Sequence, residues 1–395
     1  MVTGLGFGLE MGKERKKAIV SIVRGQDMKD KVDRALNLIG GMGKVVKKGD
    51  KVLLKPNLVD GAPAETGETT HPELIRAVAE QAFLAGAKEV YVGEGESYDG
   101  PRAALYKLIE KTVAPIGAKV INFNDEPFLE IPISNPVYFD KVRLAKAVLE
   151  CDVLVNLPTL KTHGRVGITV SIKNYYGAIP REDKGKYHRL DRVEEAIVDL
   201  NLARKSDLTV VDGTYSTIHW GPREEFPETH RLDLVIAGFD PVAVDTVSAK
   251  VIGVEPRTLR FLAWAEKRGL GIAQLEDIEV RGLSIEEAFR RATTTAIEYD
   301  NLRHRHIRLI DCGACTGCSG RIAALVFGLK DEEMKEDVYV YMGPQAKPHK
   351  GPGKVFLCGR CAAPTFYNEL EGTYIPGCPV NLERLEKELR ALGAS

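Results

Sequence analysis

The sequence predicts a doubly wound α/β protein built on a mostly parallel sheet, with a smaller C-terminal α/β domain that is rich in cysteine. Three observations carry this. Short β-branched runs alternate with helix-length amphipathic segments through the first 300 residues, the pattern of βαβ units around a parallel sheet. Polar motifs containing Lys, Asn, His and Asp stand where the predicted strands end. Six of the 7 cysteines fall after Asn301.

In chain order, Ala18 to Val23 reads as a strand and Met28 to Ile39 as a helix. Lys51 to Lys55 is a strand that runs into Pro56-Asn57, and a loop with Gly61, Pro63 and Gly67 leads on to His71-Pro72. Proline in a first helical turn starts the helix Glu73 to Ala85, and Gly86 ends it. Strand Glu89 to Val92, helix Pro101 to Ile116 and strands Lys119 to Phe123 and Val153 to Asn156 follow. The last of these opens into a loop, Leu157 to His163. Val193 to Arg204 is helical, Leu208 to Val211 is a strand that stops at Asp212-Gly213, and Leu232 to Ala237 is another strand. Asp240-Pro241 then caps and opens the helix Val242 to Ile252. Beyond the boundary, Ile307 to Ile310, Val338 to Tyr341 and Lys354 to Leu357 are strands, and Arg321 to Leu329 and Leu382 to Leu392 are helices.

A chain of 395 residues exceeds the roughly 150 of an ordinary domain, so more than one unit is expected. The expected division is a loose extension over 1–17, an α/β domain over 18–300 and a cysteine-rich domain over 301–395, since the polar, basic stretch Asn301 to His306 directly precedes the cysteines. With 55 Lys and Arg against 56 Asp and Glu, the net charge of -1 argues against wrapping nucleic acid or an anionic membrane. No segment has the make-up of a signal peptide or the roughly 18 apolar residues of a membrane span. A soluble, cytoplasmic protein is expected, and abundant Lys, Glu and Arg with only 6 Met suit a thermophilic source. The oligomeric state stays open.

The late cysteines are Cys312, Cys315 and Cys318, then Cys358 and Cys361, then Cys378-Pro379. Two-residue spacers let thiolates turn inward around one metal centre, and glycines at 313, 317, 320, 359 and 377 permit the tight backbone this needs. Disulfides compete on the even count, but a cytosolic chain with a large core sits in a reducing compartment. Zinc competes on spacing. The three-cysteine run and the remote Cys378-Pro379 favour a [4Fe-4S] cluster, although six thiols exceed the four that one cubane requires. Cys361 and Cys378 are expected ligands, Cys315 belongs to either pairing, Cys312 and Cys318 compete for one place, and Cys358 is the candidate spare. The ligands would sit at strand-to-helix turns on one edge of a small sheet, where helix N-termini favour an anionic cluster. Cys151, alone beside an apolar strand, reads as buried packing.

Cys315-Thr-Gly-Cys318-Ser, Cys361-Ala and Pro376-Gly377-Cys378-Pro379 resemble, with shorter spacing, the proximal-cluster motif of nickel–iron hydrogenase small subunits and related respiratory-complex subunits. That resemblance implies a single [4Fe-4S] cluster in flavodoxin-like surroundings and no hydrogenase activity.

In the larger domain, Lys55 and Asn57 follow one strand, Glu94 and Glu96 another, Lys161 and His163 a third and Asp212 a fourth. Ligands of open α/β sheets bind beyond the carboxyl ends of the strands, so these loops are expected to converge on one site. Lys161, His163, Lys173, Lys186 and His188 lie within 28 positions and can clamp a carboxylate or phosphate and move a proton. Lys161, His163 and Lys173 are the catalytic candidates; Lys55, Asn57, Glu94, Asn174, Lys186, His188 and Asp212 are the binding candidates. Against this stands the ordinary reading of Lys and Glu as solvated surface. His71 serves as a helix cap or as a ligand. Gly93-Glu94-Gly95 lacks the third glycine of a dinucleotide fingerprint, so a nicotinamide cofactor is not supported.

Lys55-Pro-Asn57, Gly67 to Pro72, Val92-Gly-Glu94, Asn156 to His163, Lys173-Asn174 with Gly177, Asp212-Gly213 and Asp240 to Asp245 resemble the domain of unknown function 362 family, over roughly Lys51 to Gly271. The block Lys161 to Gly177 is the most specific part. The family is commonly joined to iron–sulfur modules, and the resemblance implies a fold without a reaction. The expected function is an iron–sulfur enzyme acting on a small anionic substrate, as an oxidoreductase served by a redox partner such as a ferredoxin or as a cluster-dependent lyase. The alternatives are a non-catalytic electron carrier or subunit and a zinc-stabilised binding protein.

Overall fold

A computed structural model of the chain describes residues 17–59, 62–95, 102–163, 166–190, 192–216, 230–290, 304–312, 314, 316–343, 346, 351–360, 362 and 372–395. The expected extension at 1–17, but for Lys17, and the expected boundary at Asn301 lie outside these residues, as do Glu96, Cys315 and Cys361.

The elements of the larger part are strands β1 (Ala18–Arg24), β2 (Lys51–Pro56), β3 (Glu89–Glu94), β4 (Lys119–Asn122), β5 (Phe128–Pro132), β6 (Lys141–Ala145), β7 (Val153–Leu157), β8 (Lys161–His163), β9 (Gly167–Thr169), β10 (Leu208–Ser216), β11 (His230–Gly238) and β12 (Ile278–Gly282). Its helices are α1 (Met28–Ile39), α2 (Pro72–Leu84), α3 (Arg102–Val113), α4 (Lys146–Glu150), α5 (Ser171–Asn174), α6 (Arg181–Arg189), α7 (Val193–Ala203), α8 (Pro241–Val251), α9 (Arg260–Lys267) and α10 (Ile285–Ala288). Eight strands form one sheet in the order β12-β1-β11-β10-β7-β2-β3-β4. It is mostly parallel; only β11 runs against its neighbours, β1 and β10. β5 pairs with β6, and β8 with β9, as separate antiparallel ribbons.

Strand alternation sends successive apolar side chains to opposite faces, so the sheet carries two cores. Val52, Leu54, Val210 and Val235 face a core completed by Leu36, Leu74 and Ile109 of α1, α2 and α3. Leu53, Leu154, Val211 and Ile236 face another, completed by Ile197, Val247 and Phe261 of α7, α8 and α9. Helix starts follow the sequence signals. The Asp27 carboxylate accepts from Asp30 N to cap α1, Asp240 accepts from Val242 N and Ala243 N to cap α8, and Ser284 with Glu287 closes a capping box on α10. His71 proves to be a cap: its Nδ1 accepts from Glu73 N ahead of Pro72.

A second sheet is wholly parallel, in the order β13-β14-β15-β16, from Ile307–Asp311, Val338–Met342, Lys354–Cys358 and Thr373–Ile375. Helices α11 (Thr316–Phe327) and α12 (Leu382–Ala391) cover one face, burying Leu309, Val340 and Phe356 against Ile322, Val326, Leu385 and Leu389.

Two readings are corrected. The stretch expected as loop through His163 contains β8, because Lys161 to His163 pairs with Gly167 to Thr169. The strand expected to stop at Asp212 continues to Ser216, since β11 offers an antiparallel edge along which polar residues satisfy their backbone groups as well as apolar ones do.

The loop between β5 and β6 hangs on one carboxylate. Asp199 of α7, fully buried, accepts from Val137 N at 2.5 Å, Tyr138 N at 3.0 Å and Phe139 N at 2.8 Å. Asp199→Ala would remove the shared acceptor of three backbone N–H groups, that of Phe139 buried, and is expected to cost about 2–4 kcal/mol in urea unfolding. A loss below about 1 kcal/mol would show that the loop relaxes to water instead.

Candidate functional site

The carboxyl ends of β2 and β3 are joined by a buried ion pair. Lys55 Nζ lies 2.6 Å from Glu94 Oε2, with 1% and 2% of the two side chains exposed, and also donates to Pro56 O at 3.0 Å. The other oxygen, Oε1, accepts from Gly95 N at 2.8 Å, and the backbone carbonyl of Glu94 accepts from Tyr106 Oη at 2.6 Å. Gly177 explains itself here, because a Cβ at that position would run into the Glu94 carboxylate. Desolvation of two charges is recovered only when the geometry is close and the remaining valences are filled, and both conditions hold.

Beside this pair, Asn57 Oδ1 accepts from Lys161 Nζ at 2.6 Å and from Thr159 Oγ1 at 2.9 Å, and Lys161 Nζ donates also to Glu68 O at 2.9 Å. Lys161 reaches Asn57 because the chain beyond β7 bridges at Thr159 to Asp212 of β10 before entering β8. Asn174, at the end of α5, spans the strand ends: its Nδ2 donates to Asn156 Oδ1 at 2.7 Å and to the carbonyls of Lys55 and Pro56 at 3.2 and 3.4 Å. Asp212 accepts from His71 N at 2.7 Å and from Thr214 N at 2.9 Å. Lys55, Asn57, Glu94, Lys161, Asn174 and Asp212, read separately as strand-end residues, therefore meet in one polar edge. Lys55 is neutralised there by Glu94.

The remaining candidates stand further off. Val166 N donates to His163 Nδ1 across the β8–β9 hairpin. Lys173 Nζ lies 5.1 Å from the Tyr176 ring centroid, and His188 meets the same ring edge-on. Lys186 lies over Phe139 instead. A depression of ≈ 340 Å³ lined by Arg181, Glu182, Gly185 and Arg189 opens on α6. Lys31 was missed. It is fully buried on α1, its Nζ donates to Thr214 Oγ1 at 3.2 Å, and burial pushes its pKa down against the opposing pull of Asp212. A lysine on an amphipathic helix carries no sequence signal that separates it from the solvated majority.

In the smaller sheet the register sets Asp311, Met342, Cys358 and Ile375 in one row at the carboxyl ends of its four strands. Cys312 follows the first strand, its N–H donating to Met342 O, and Cys378 stands three residues past the last, exposed. Cys318 and Cys358 lie in the apolar core under α11 and α12, and burial alone pushes the Cys358 thiol well above its ordinary range. Among the described residues, no three of His, Cys, Asp and Glu form a metal-holding group. Cys151 is buried, its thiol pushed up to about 11 by desolvation, as packing residues are.

A family model described as Domain of unknown function (DUF362) matches residues 52–250. A thylakoid-associated protein of Synechocystis sp. is 31% identical over 245 residues, which are 60% of this chain and 73% of that protein. Among solved structures, the lactate racemase apoprotein from Thermoanaerobacterium thermosaccharolyticum aligns with a TM-score of 0.38 at 11% identity, over 87% of this chain and 73% of that one. A protein from Thermotoga maritima aligns with a TM-score of 0.32 at 14% identity, over 62% and 60%.

Lys55→Met would leave the Glu94 carboxylate buried without its ammonium and is expected to destabilise the protein by about 3–5 kcal/mol in urea unfolding, while Lys55→Met with Glu94→Gln recovers most of the loss. Equal stability of the single and double variants would mean that the two charges act independently.

Proposed function

The chain belongs to the domain of unknown function 362 family, and on that premise we propose that it is an iron–sulfur redox protein that binds a small anion at the strand-end cluster of its larger sheet. The observation that supports the cluster reading is the smaller parallel sheet, in which Cys358 ends one strand, Cys312 directly follows another and Cys378 stands three residues past the last. Helix α11 begins at Thr316, shortly after Cys312, and the N–H groups and positive dipole end of a helix N-terminus favour a thiolate-rich, anionic group. The donor set fits: two-residue spacings supply soft thiolates, and Cys378 supplies the remote ligand. Cys358, enclosed in the apolar core, is the candidate spare thiol. When bound, such a cluster supplies one-electron transfer, and six thiols suffice to ligate all of its irons.

At the larger sheet, Lys161 and Asn57 provide a cation and an amide on one edge, and Glu94 fixes Lys55 behind them. That arrangement suits a small carboxylate or phosphate, with His163 on the adjoining hairpin as the group suited to carry a proton. A redox partner such as a ferredoxin completes the reading.

Protein purified without oxygen is expected to be brown, with about four irons and four sulfides per chain and an electron paramagnetic resonance signal on reduction. Cys361→Ser and Cys378→Ser should each abolish it, whereas Cys151→Ser and Cys358→Ala should retain iron. Colourless protein carrying zinc would refute the cluster. In the same preparations, Lys161→Ala should keep its iron and bind inorganic phosphate about tenfold more weakly by calorimetry, the size of one charge-assisted hydrogen bond; unchanged affinity would refute the anion site.

A further inference from the structure

We propose that Asp245, a residue to which the sequence assigns no role, is a positioning residue of the strand-end cluster: its carboxylate fixes the turn that carries Lys173 and Asn174. Asp245 is fully buried in α8, and its two oxygens accept separately from the first two amides of α5, Ser171 N at 2.6 Å and Ile172 N at 3.0 Å. A four-residue helix cannot hold itself together, since nucleation fixes several dihedrals for one hydrogen bond. External anchors must define it. Asp245 holds its start, while Asn174 holds its end by donating to the backbone of β2 and to Asn156. Between these, Asn201 Nδ2 donates to Ile172 O, and Ser171 Oγ lies 2.9 Å from Thr209 Oγ1. Among the anchors named here Asp245 is the carboxylate, so its hold on α5 changes with pH.

Burial pushes the Asp245 carboxyl up to about 7, against the two amides that favour its charged form. Asp240, on the same helix, is the charged group acting on it and adds to the rise; α5 presents backbone amides, β10 presents Thr209 and α7 presents Asn201. The sign follows from linkage. The folded state binds this proton more tightly than the unfolded chain, so net stability falls as pH rises from about 4 to about 7 and then levels off. The turn behaves in the opposite sense: above about 7 both oxygens accept, and below it one carries a proton that opposes an N–H. The cluster is thus best ordered in the state in which the fold gives up some stability.

The functional meaning rests on the reading of this cluster as an anion site, whereas the positioning is testable without any ligand. In protein labelled with ¹⁵N-isoleucine, the Ile172 amide resonance should titrate with a midpoint near 7, and the titration should vanish in Asp245→Asn. Asp240→Asn should keep it and lower its midpoint, which preserves the test if Asp245→Asn does not fold. An Ile172 amide that stays fixed between about pH 5 and pH 9, or that titrates alike in wild type and Asp245→Asn, overturns the proposal. Inorganic phosphate separates the two claims: if wild type titrates as expected but binds no phosphate, the anion site fails and the positioning stands.

Discussion

Two opposite charges with almost no access to water hold the carboxyl ends of β2 and β3 together, and the polar edge of the larger sheet is arranged around them. A buried ammonium and carboxylate tolerate little displacement, because separation leaves each with an uncompensated desolvation cost. Lys55 and Glu94 therefore fix the relative height of two strand ends, Gly177 must lie flat against the carboxylate, and Asn174 then bridges the carbonyls of Lys55 and Pro56. From this base the network extends through Asn57 to Lys161 and through Asp212 to the N-terminus of α2. Such an expense of buried polarity is not what a hydrophobic sheet needs for stability. It defines positions, and defined positions are what a binding site requires.

Much of the scaffold was legible before any coordinates. The helices opening at Pro72 and Pro241 announced themselves through His71 and Asp240 with proline behind them, since capping is a local property of a few residues. Strand cores such as Val153 to Asn156 were legible as unbroken apolar runs, because a strand buried on both faces has no polar side to show. The antiparallel insertion of β11 was not legible. Its composition matches that of a parallel strand, and direction is decided by which neighbour the chain returns to. The β5–β6 and β8–β9 ribbons were missed for a related reason: they are short, and pairing makes strands of them.

The site was legible in part. Residues directly at strand ends were found because topology alone brings strand ends together, so Lys55, Asn57, Glu94, Lys161 and Asp212 met as expected. Proximity in sequence misled for Lys186, which lies over Phe139. Glycine spacing gave no guidance there, whereas helix phase would have, since Asp183, Lys184 and Tyr187 are the buried members of α6 and Lys186 is not. The roles of Lys31 and Asp245 were hidden for a different reason. Each is one polar residue on a helix otherwise built like its neighbours, and its role depends on what it faces across the sheet edge.

The larger sheet offers a polar edge with fixed cations, and at the smaller sheet Cys358 ends one strand while Cys312 and Cys378 follow two others; we propose that cysteines at this edge hold iron. Anomalous difference density from anaerobically grown crystals, recorded on either side of the iron absorption edge, tests this most directly. The account predicts a strong iron peak at the carboxyl edge of the four-stranded sheet, within bonding distance of Cys378. Signal at the zinc edge alone, or iron density remote from that edge, would contradict it.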